Sequence, residues 1–244
     1  MLVEFLSGCT LEHVILTENS DVIRNVILIF EQTVGDIWQR TIQPGPLHTD
    51  YMAQLRSRFD TIHRVHPECI RPALRIGDFA VPATLELIDA CTRIEEAVTA
   101  PFSVFIHGDF NTNNVIYNHE EQKINYIDLY RSRQADYVQD VSVFLVSNFR
   151  LPAFDVELRE RINTVCLYFY EFFSGFAERN GDRTFNARLA LALARSFYTS
   201  TRFELEPHFA REMAMRAHYL MENLAVHQGR PWEDFRLPED VLFY

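Results

Sequence analysis

Lysine is almost absent from this sequence. Of 244 residues only Lys123 is a lysine, and the other basic side chains are arginines. With 34 acidic residues against 23 basic ones, the formal charge is −11. A chain so acidic lacks the basic patch with which nucleic-acid binders displace counterions from phosphates, so nucleic acid is excluded as an expected partner. Glycine is scarce at 8 and proline ordinary at 10, which argues against collagen, disorder or a linker array. The four cysteines, Cys9, Cys69, Cys91 and Cys166, form no CxxC pair, so neither a zinc site nor a disulfide framework is indicated. The first residues, MLVEFLSG, have no basic start and no long apolar run, unlike a signal peptide. No stretch reaches the ~18 uninterrupted apolar residues of a membrane span. A cytoplasmic setting with no membrane partner is the expectation.

What is present is apolar bulk: 48% of residues are hydrophobic, with 20 Phe and 10 Tyr, enough to bury a sizeable core in one large domain or two small ones. LVEFL at Leu2–Leu6 alternates like a short strand, and SGCT breaks it. Ser20 caps a helical stripe made by Val22, Ile23, Val26, Ile27, Phe30, Val34, Ile37 and Trp38. Thr49 or Asp50 caps a second helix that buries Tyr51, Leu55, Phe59 and Ile62, and Leu85–Val98 reads as a third. The period then changes. Phe102–Ile106, Val115–Tyr117 and Ile124–Ile127 read as strands, the last two joined by the polar turn NHEEQK. Helical spacing returns from Val138, clearest over Glu157–Phe176, Asn186–Phe203 and Phe209–His227, and the Pro-punctuated tail is expected to run over the surface. The fold class is therefore α+β, mainly α, with a small β insert at 102–128 between helices.

The insert holds the chemistry. A strand runs into His107-Gly108-Asp109, Asn114 follows Asp109 by five residues, and a second apolar run delivers Asp128. Loops beside strands are where a rigid scaffold presents functional groups. Carboxylate and amide oxygens are hard donors of the kind Mg²⁺ takes, and Mg²⁺ sites often use one or two protein ligands and leave the rest to phosphates and water. Asn114 and Asp128 fit that sparse set, which leaves Asp109 to orient a hydroxyl or accept its proton. Each residue alone also has a plain structural reading: a turn, a backbone cap, a strand end.

The joint pattern resembles the aminoglycoside phosphotransferase family of the protein-kinase-like superfamily. HGDFNTNNVIY is similar to that family's catalytic loop, and INYIDLYRSRQADYVQDVSVF to its metal-binding segment. The resemblance implies Asp109 as catalytic base, Asn114 and Asp128 as Mg²⁺ ligands, and His107 as a support of the loop. It implies that Asp140 holds the loop by hydrogen bonds, with Asp136 its partner in the same turn. The detailed likeness covers Phe102 to Phe149. Upstream, MLVEFLSGCTLEHVI resembles the family's hinge, whose backbone near Glu4, Phe5 and Leu6 would meet the nucleotide base. The implied organisation is a hinge remnant at 1–10 and a helical phosphotransferase C-lobe at 11–244, moving the γ-phosphoryl of ATP or GTP to a hydroxylated small molecule.

The family's N-lobe carries a phosphate-covering loop, a phosphate lysine and its glutamate, and none of these is found here; Lys123 sits in the hairpin turn. The chain is thus expected to be a truncated kinase, inactive without an N-lobe that an upstream segment or a separate chain would supply; a dimer would cover the apolar patch left where that lobe packs. A non-catalytic ligand- or protein-binding pseudokinase module stays open beside it. Other features read as structure: His63 and His66 as helix-end histidines, YFYEFF at Tyr168–Phe173 as core packing, and the acidic helix residues such as Glu157, Glu160 and Glu212 as a solvated face, or else a face for a cationic substrate.

Overall fold

The computed structural model describes residues 6–153 and 155–243. The expected strand Leu2–Leu6 and its hinge residues Glu4 and Phe5 lie outside the described residues, and only Leu6 of the hinge lies within them. Along the chain run β1 (Cys9–Thr10), α1 (Leu11–Thr17), α2 (Ser20–Thr41), β2 (Gln43–Leu47), α3 (Tyr51–Arg56) and α4 (Phe59–Val65). Next come β3 (Leu74–Ile76), β4 (Phe79–Val81), α5 (Thr84–Ala97), β5 (Ala100–Ile106), β6 (Val115–Asn118), β7 (Lys123–Tyr126) and β8 (Arg133–Ala135). The helices α6 (Val138–Phe149), α7 (Val156–Arg179), α8 (Phe185–Ser200) and α9 (Pro207–His227) complete it.

The chain divides into two compact units that interleave in sequence. One holds residues 1–45, 102–181 and 242–244; the other holds 46–101 and 182–241. In the first, α2, α6 and α7 close on an aromatic core. Phe30 lies 4.8 Å from Phe144 and 4.9 Å from Phe169, and Trp38 lies 5.2 Å from Tyr137 and 5.3 Å from Phe176. Edge-on and tilted ring pairs at these distances are the favoured geometries, and they add to the area that each ring buries. Phe169, Tyr170 and Phe173 of the YFYEFF run are buried in this way, while Tyr168 stays 52% exposed. Two small antiparallel ladders sit in the same unit. In β1-β6-β7, Cys9 pairs with Tyr117 and Val115 with Tyr126; β5 meets β8 with Val104 opposite Ala135.

The second unit is helical, with α8, α9 and α5 packed on one another and α3 against α8. Four segments differ from the sequence reading. The single helix expected from Tyr51 to Ile62 breaks at Ser57 and Arg58, where the Ser57 hydroxyl donates to the Gln54 carbonyl at 2.7 Å and competes with the helical ladder. Residues 74–81, to which the sequence reading assigns no element, form the β3–β4 hairpin, turned by Gly77 at φ 61°. The tail is not superficial: Phe235, Leu237 and Val241 are buried. The SGCT segment, expected only as a break, supplies β1.

Candidate active site

The loop between β5 and β6 is anchored before it is functional. Phe110, next to Asp109, is 2% exposed and packs 5.2 Å from Phe144 and 5.6 Å from Phe30, so the aromatic core fixes one end of the turn. Asp140, in the first turn of α6 and 1% exposed, fixes the other. Its Oδ2 accepts from the His107 N–H at 2.6 Å and its Oδ1 from the Gly108 N–H at 2.9 Å. A buried carboxylate without donors would cost several kcal/mol, and these amides supply donors. The neighbouring Asp136 is also buried, and its Oδ1 accepts from the Val138 N–H at 3.2 Å at the start of α6.

Gly108 adopts φ 85°, and a Cβ there would meet the Arg131 carbonyl oxygen at 2.4 Å. Only glycine allows the loop to lie so close to the segment after β7. His107 bridges the same two segments. Its Nδ1 accepts from the Asp109 N–H at 3.3 Å, so Nε2 carries the proton and donates to the Ile127 carbonyl at 2.9 Å. Burial pushes the His107 pKa down, which keeps the ring neutral in this role.

The candidate ligands come together around this brace. The Asn114 carboxamide donates to the Asp109 carbonyl at 2.8 Å, and its oxygen is the end left for a cation. The Asn114 carbonyl accepts from the Ile127 N–H at 3.1 Å, which ties the loop to the residue before Asp128. Asp128 takes the left-handed conformation, φ 61° and ψ 45°, and is exposed. A carboxylate set there suits a sparse site completed by a ligand. Among the described residues no group of three or more His, Cys, Asp and Glu gathers as a metal centre, so Mg²⁺ fits here only as an ion held by one or two protein oxygens.

Two residues that the sequence reading passed over act on Asp109 directly. Asn111 Nδ2 donates to Oδ1 at 2.8 Å, and Arg131 lies 3.2 Å from Oδ2. The Asp109 side chain remains 26% exposed and so is reachable by a substrate. Arg131 gets there because Leu129–Arg131 forms a single 3-10 turn after Asp128, which swings the third residue back over the loop. The Arg in IDLYRS was the available signal; its spacing from Asp128 is one such turn.

A family model described as the ecdysteroid kinase-like family matches residues 28–175. No curated protein matches the sequence. In fold the chain is similar to a glucosamine kinase, with a TM-score of 0.50 at 12% identity over 87% of this chain and 56% of that one. It is also similar to an aminoglycoside phosphotransferase of Streptomyces rimosus in complex with ADP and streptomycin, with a TM-score of 0.44 at 17% identity over 78% of this chain and 67% of that one. A Plasmodium vivax ethanolamine kinase gives a TM-score of 0.43 at 13% identity, over 89% and 63%. The chain thus spans 56% of the length of that glucosamine kinase. The mainly helical kinase-like fold is the one that the two motifs imply.

Proposed function

Because the chain belongs to the ecdysteroid kinase-like family, we propose that its His107–Asn114 loop serves transfer of the γ-phosphoryl group of ATP or GTP to a hydroxyl of a small molecule. The observation that carries this reading is the braced loop: Asp140 holds the His107–Gly108 backbone, and Asn114 holds the Asp109 carbonyl. Phosphoryl transfer asks the protein mainly for positioning and charge stabilisation, and such a brace supplies positioning.

Asp109 is the proton acceptor in this reading. Asn111 and Arg131 each engage one of its two oxygens, which fixes the carboxylate and leaves acceptor capacity for the incoming hydroxyl. As the hydroxyl oxygen bonds to phosphorus and the bond to the β-phosphate oxygen breaks, the proton passes to Asp109. The Asn114 oxygen and the Asp128 carboxylate would hold Mg²⁺, with phosphates and water completing its shell. When bound, Mg²⁺ neutralises charge on the phosphate oxygens. His107, Asp136 and Asp140 act by holding the loop. The hinge assignment places the backbone at Leu6 against the nucleotide base, with residues 11–244 as the catalytic lobe and the phosphate-covering part of the site coming from an N-lobe.

The test is turnover of ATP and GTP with a panel of amino- and hydroxyl-bearing acceptors. Acceptor-dependent turnover that falls by a hundredfold or more in Asp109→Asn, the size expected of a lost general base, supports the reading. Turnover that survives the substitution refutes it. Calorimetry of the 244-residue chain with Mg²⁺–ATP gives the second readout: binding weakened by Asp128→Asn and kept in Asp109→Asn.

A further inference from the structure

α2 and α7 line a groove of about 680 Å³ that lies within one unit and involves none of the catalytic-loop residues. On α2 the lining falls at positions 20, 23, 24, 27, 28 and 31; on α7 it falls at 157, 160, 161, 164, 165 and 168. Both series step by three and four residues, so each is one face of its helix, about 16 Å long at 1.5 Å per residue. Farther along, the same helices close: Phe30 meets Phe169 at 4.9 Å, and Trp38 meets Phe173 at 5.7 Å. The pair therefore touches from mid-helix onward and parts toward its N-termini, which leaves room between two ordered faces.

The floor of this groove is apolar. Ile23, Ile27 and Val165 are buried, while Leu28 and Tyr168 stand at the lips, 58% and 52% exposed. The lips also carry three carboxylates, Glu31, Glu157 and Glu160. Of the two cations of the lining, Arg161 is turned to the end of α1, donating to the carbonyls of Ile15 and of Glu18 just beyond it at 3.5 and 3.2 Å, and Arg24 stands in solvent 3.8 Å from Asp21, which offsets its charge. Burial pushes the Glu31 pKa up against the pull of Arg179, the mark of a carboxylate short of solvent and suited to a cation. A second copy of this chain would bring the same acidic lips and another charge of −11, so like charges would meet.

We propose that the α2–α7 groove docks a basic amphipathic helix of about three turns from a partner protein, a length that matches the two faces. Its apolar side chains, at helical spacing, rest on Ile23, Ile27 and Val165, and its Lys or Arg side chains face Glu31, Glu157 and Glu160. The site is separate from the phosphoryl-transfer reading and stands or falls without it.

The probe is a labelled 14-residue peptide of Leu and Lys in an amphipathic helical pattern, titrated into the full chain by fluorescence anisotropy. Two controls share its length: a scrambled peptide of the same composition, and a Leu/Glu peptide with the same apolar stripe. The proposal expects saturable one-to-one binding of the patterned basic peptide, at least tenfold tighter than either control. Leu28→Arg and Tyr168→Ser, both at exposed positions, should each weaken it tenfold or more, and Glu160→Gln threefold to fivefold, with melting temperatures held. Equal affinity for the scrambled peptide, preference for the acidic peptide, or binding untouched by Leu28→Arg would overturn it. So would a dimer in sedimentation that Leu28→Arg dissolves, since a second copy would then fill the groove.

Discussion

In the unit built on α2, α6 and α7, buried polar groups reach a loop; in the unit of residues 46–101 and 182–241, they reach one another. Asp140 spends its carboxylate on the backbone of His107 and Gly108, and the groups beyond that brace, Asp109 and Asp128, stay accessible. In the helical unit Asp182 and Arg188 form an ion pair with both side chains fully buried. Glu95 accepts from the Thr49 hydroxyl at 2.9 Å and from the Tyr51 and Met52 amides at 2.6 and 3.0 Å. The Thr84 hydroxyl accepts from the Arg71 N–H at 2.9 Å and is hydrogen-bonded to His218 Nε2 at 2.7 Å. Closed networks of this kind fix packing. A network that ends at a left-handed turn and an exposed carboxylate holds a surface group in one place, which is what a reaction needs.

The largest effect should come from opening a closed network. Arg188→Met leaves Asp182 as a buried charge without its main counter-ion and should cost about 3–5 kcal/mol, measured by urea unfolding. Loss of that size with the amide spectrum of His107–Asn114 unchanged would keep the comparison; loss below about 1 kcal/mol would break it.

Acid is the next lever. Burial, helped by Arg71, pushes His218 down to about 3, and its Nδ1 finds no hydrogen-bond partner among the described residues. An unfolded histidine near 6.5 binds protons that the folded one refuses, so stability is full above 6.5 and falls as pH drops from 6.5 toward 3. The loss should be on the order of 5 kcal/mol at most, and His218→Gln should flatten it. His107 is lowered in the same direction, so it adds to the loss as pH falls below 6.5. Thermal melts from pH 7 to 4 that show no slope would contradict both.

Asp140→Ala should cost about 2–4 kcal/mol, because two buried amides lose their acceptors, and it should also broaden the loop resonances. Asp140→Asn retains an acceptor and should cost less. The smallest effect on stability belongs to Asp109→Asn, within about 1 kcal/mol, since its partner Arg131 is 53% exposed and the pair is screened by solvent on that side. A large loss there would make Asp109 a structural residue and erase the contrast.

The His107–Asn114 loop stood out because its residues carry a chemical pattern at fixed spacing, and the long helices because their apolar faces repeat. The β3–β4 hairpin was missed although Leu74-Arg75-Ile76-Gly77-Asp78-Phe79 alternates around a Gly-Asp turn; Leu74, Ile76 and Phe79 are 48%, 66% and 79% exposed, so no burial signal marked a face. The break at Ser57 and Arg58 has no Gly or Pro to announce it. Arg131 sat inside a motif, but its contact with Asp109 depends on the left-handed backbone of Asp128, which one-dimensional spacing does not carry. The interleaving of the two units depends on long-range packing and left no mark in composition.

The central claim, that Asp109, Asn114 and Asp128 form one metal–nucleotide phosphoryl-transfer site, is tested most directly by paramagnetic broadening with Mn²⁺–ADP. Amide resonances of the full chain are followed as the complex is added, in the parent and in Asp128→Asn. The account predicts broadening centred on residues 107–114 and 127–131, absent with ADP alone and lost in Asp128→Asn while the rest of the spectrum is unchanged. Broadening centred elsewhere, or at the loop with equal strength in Asp128→Asn, would contradict it.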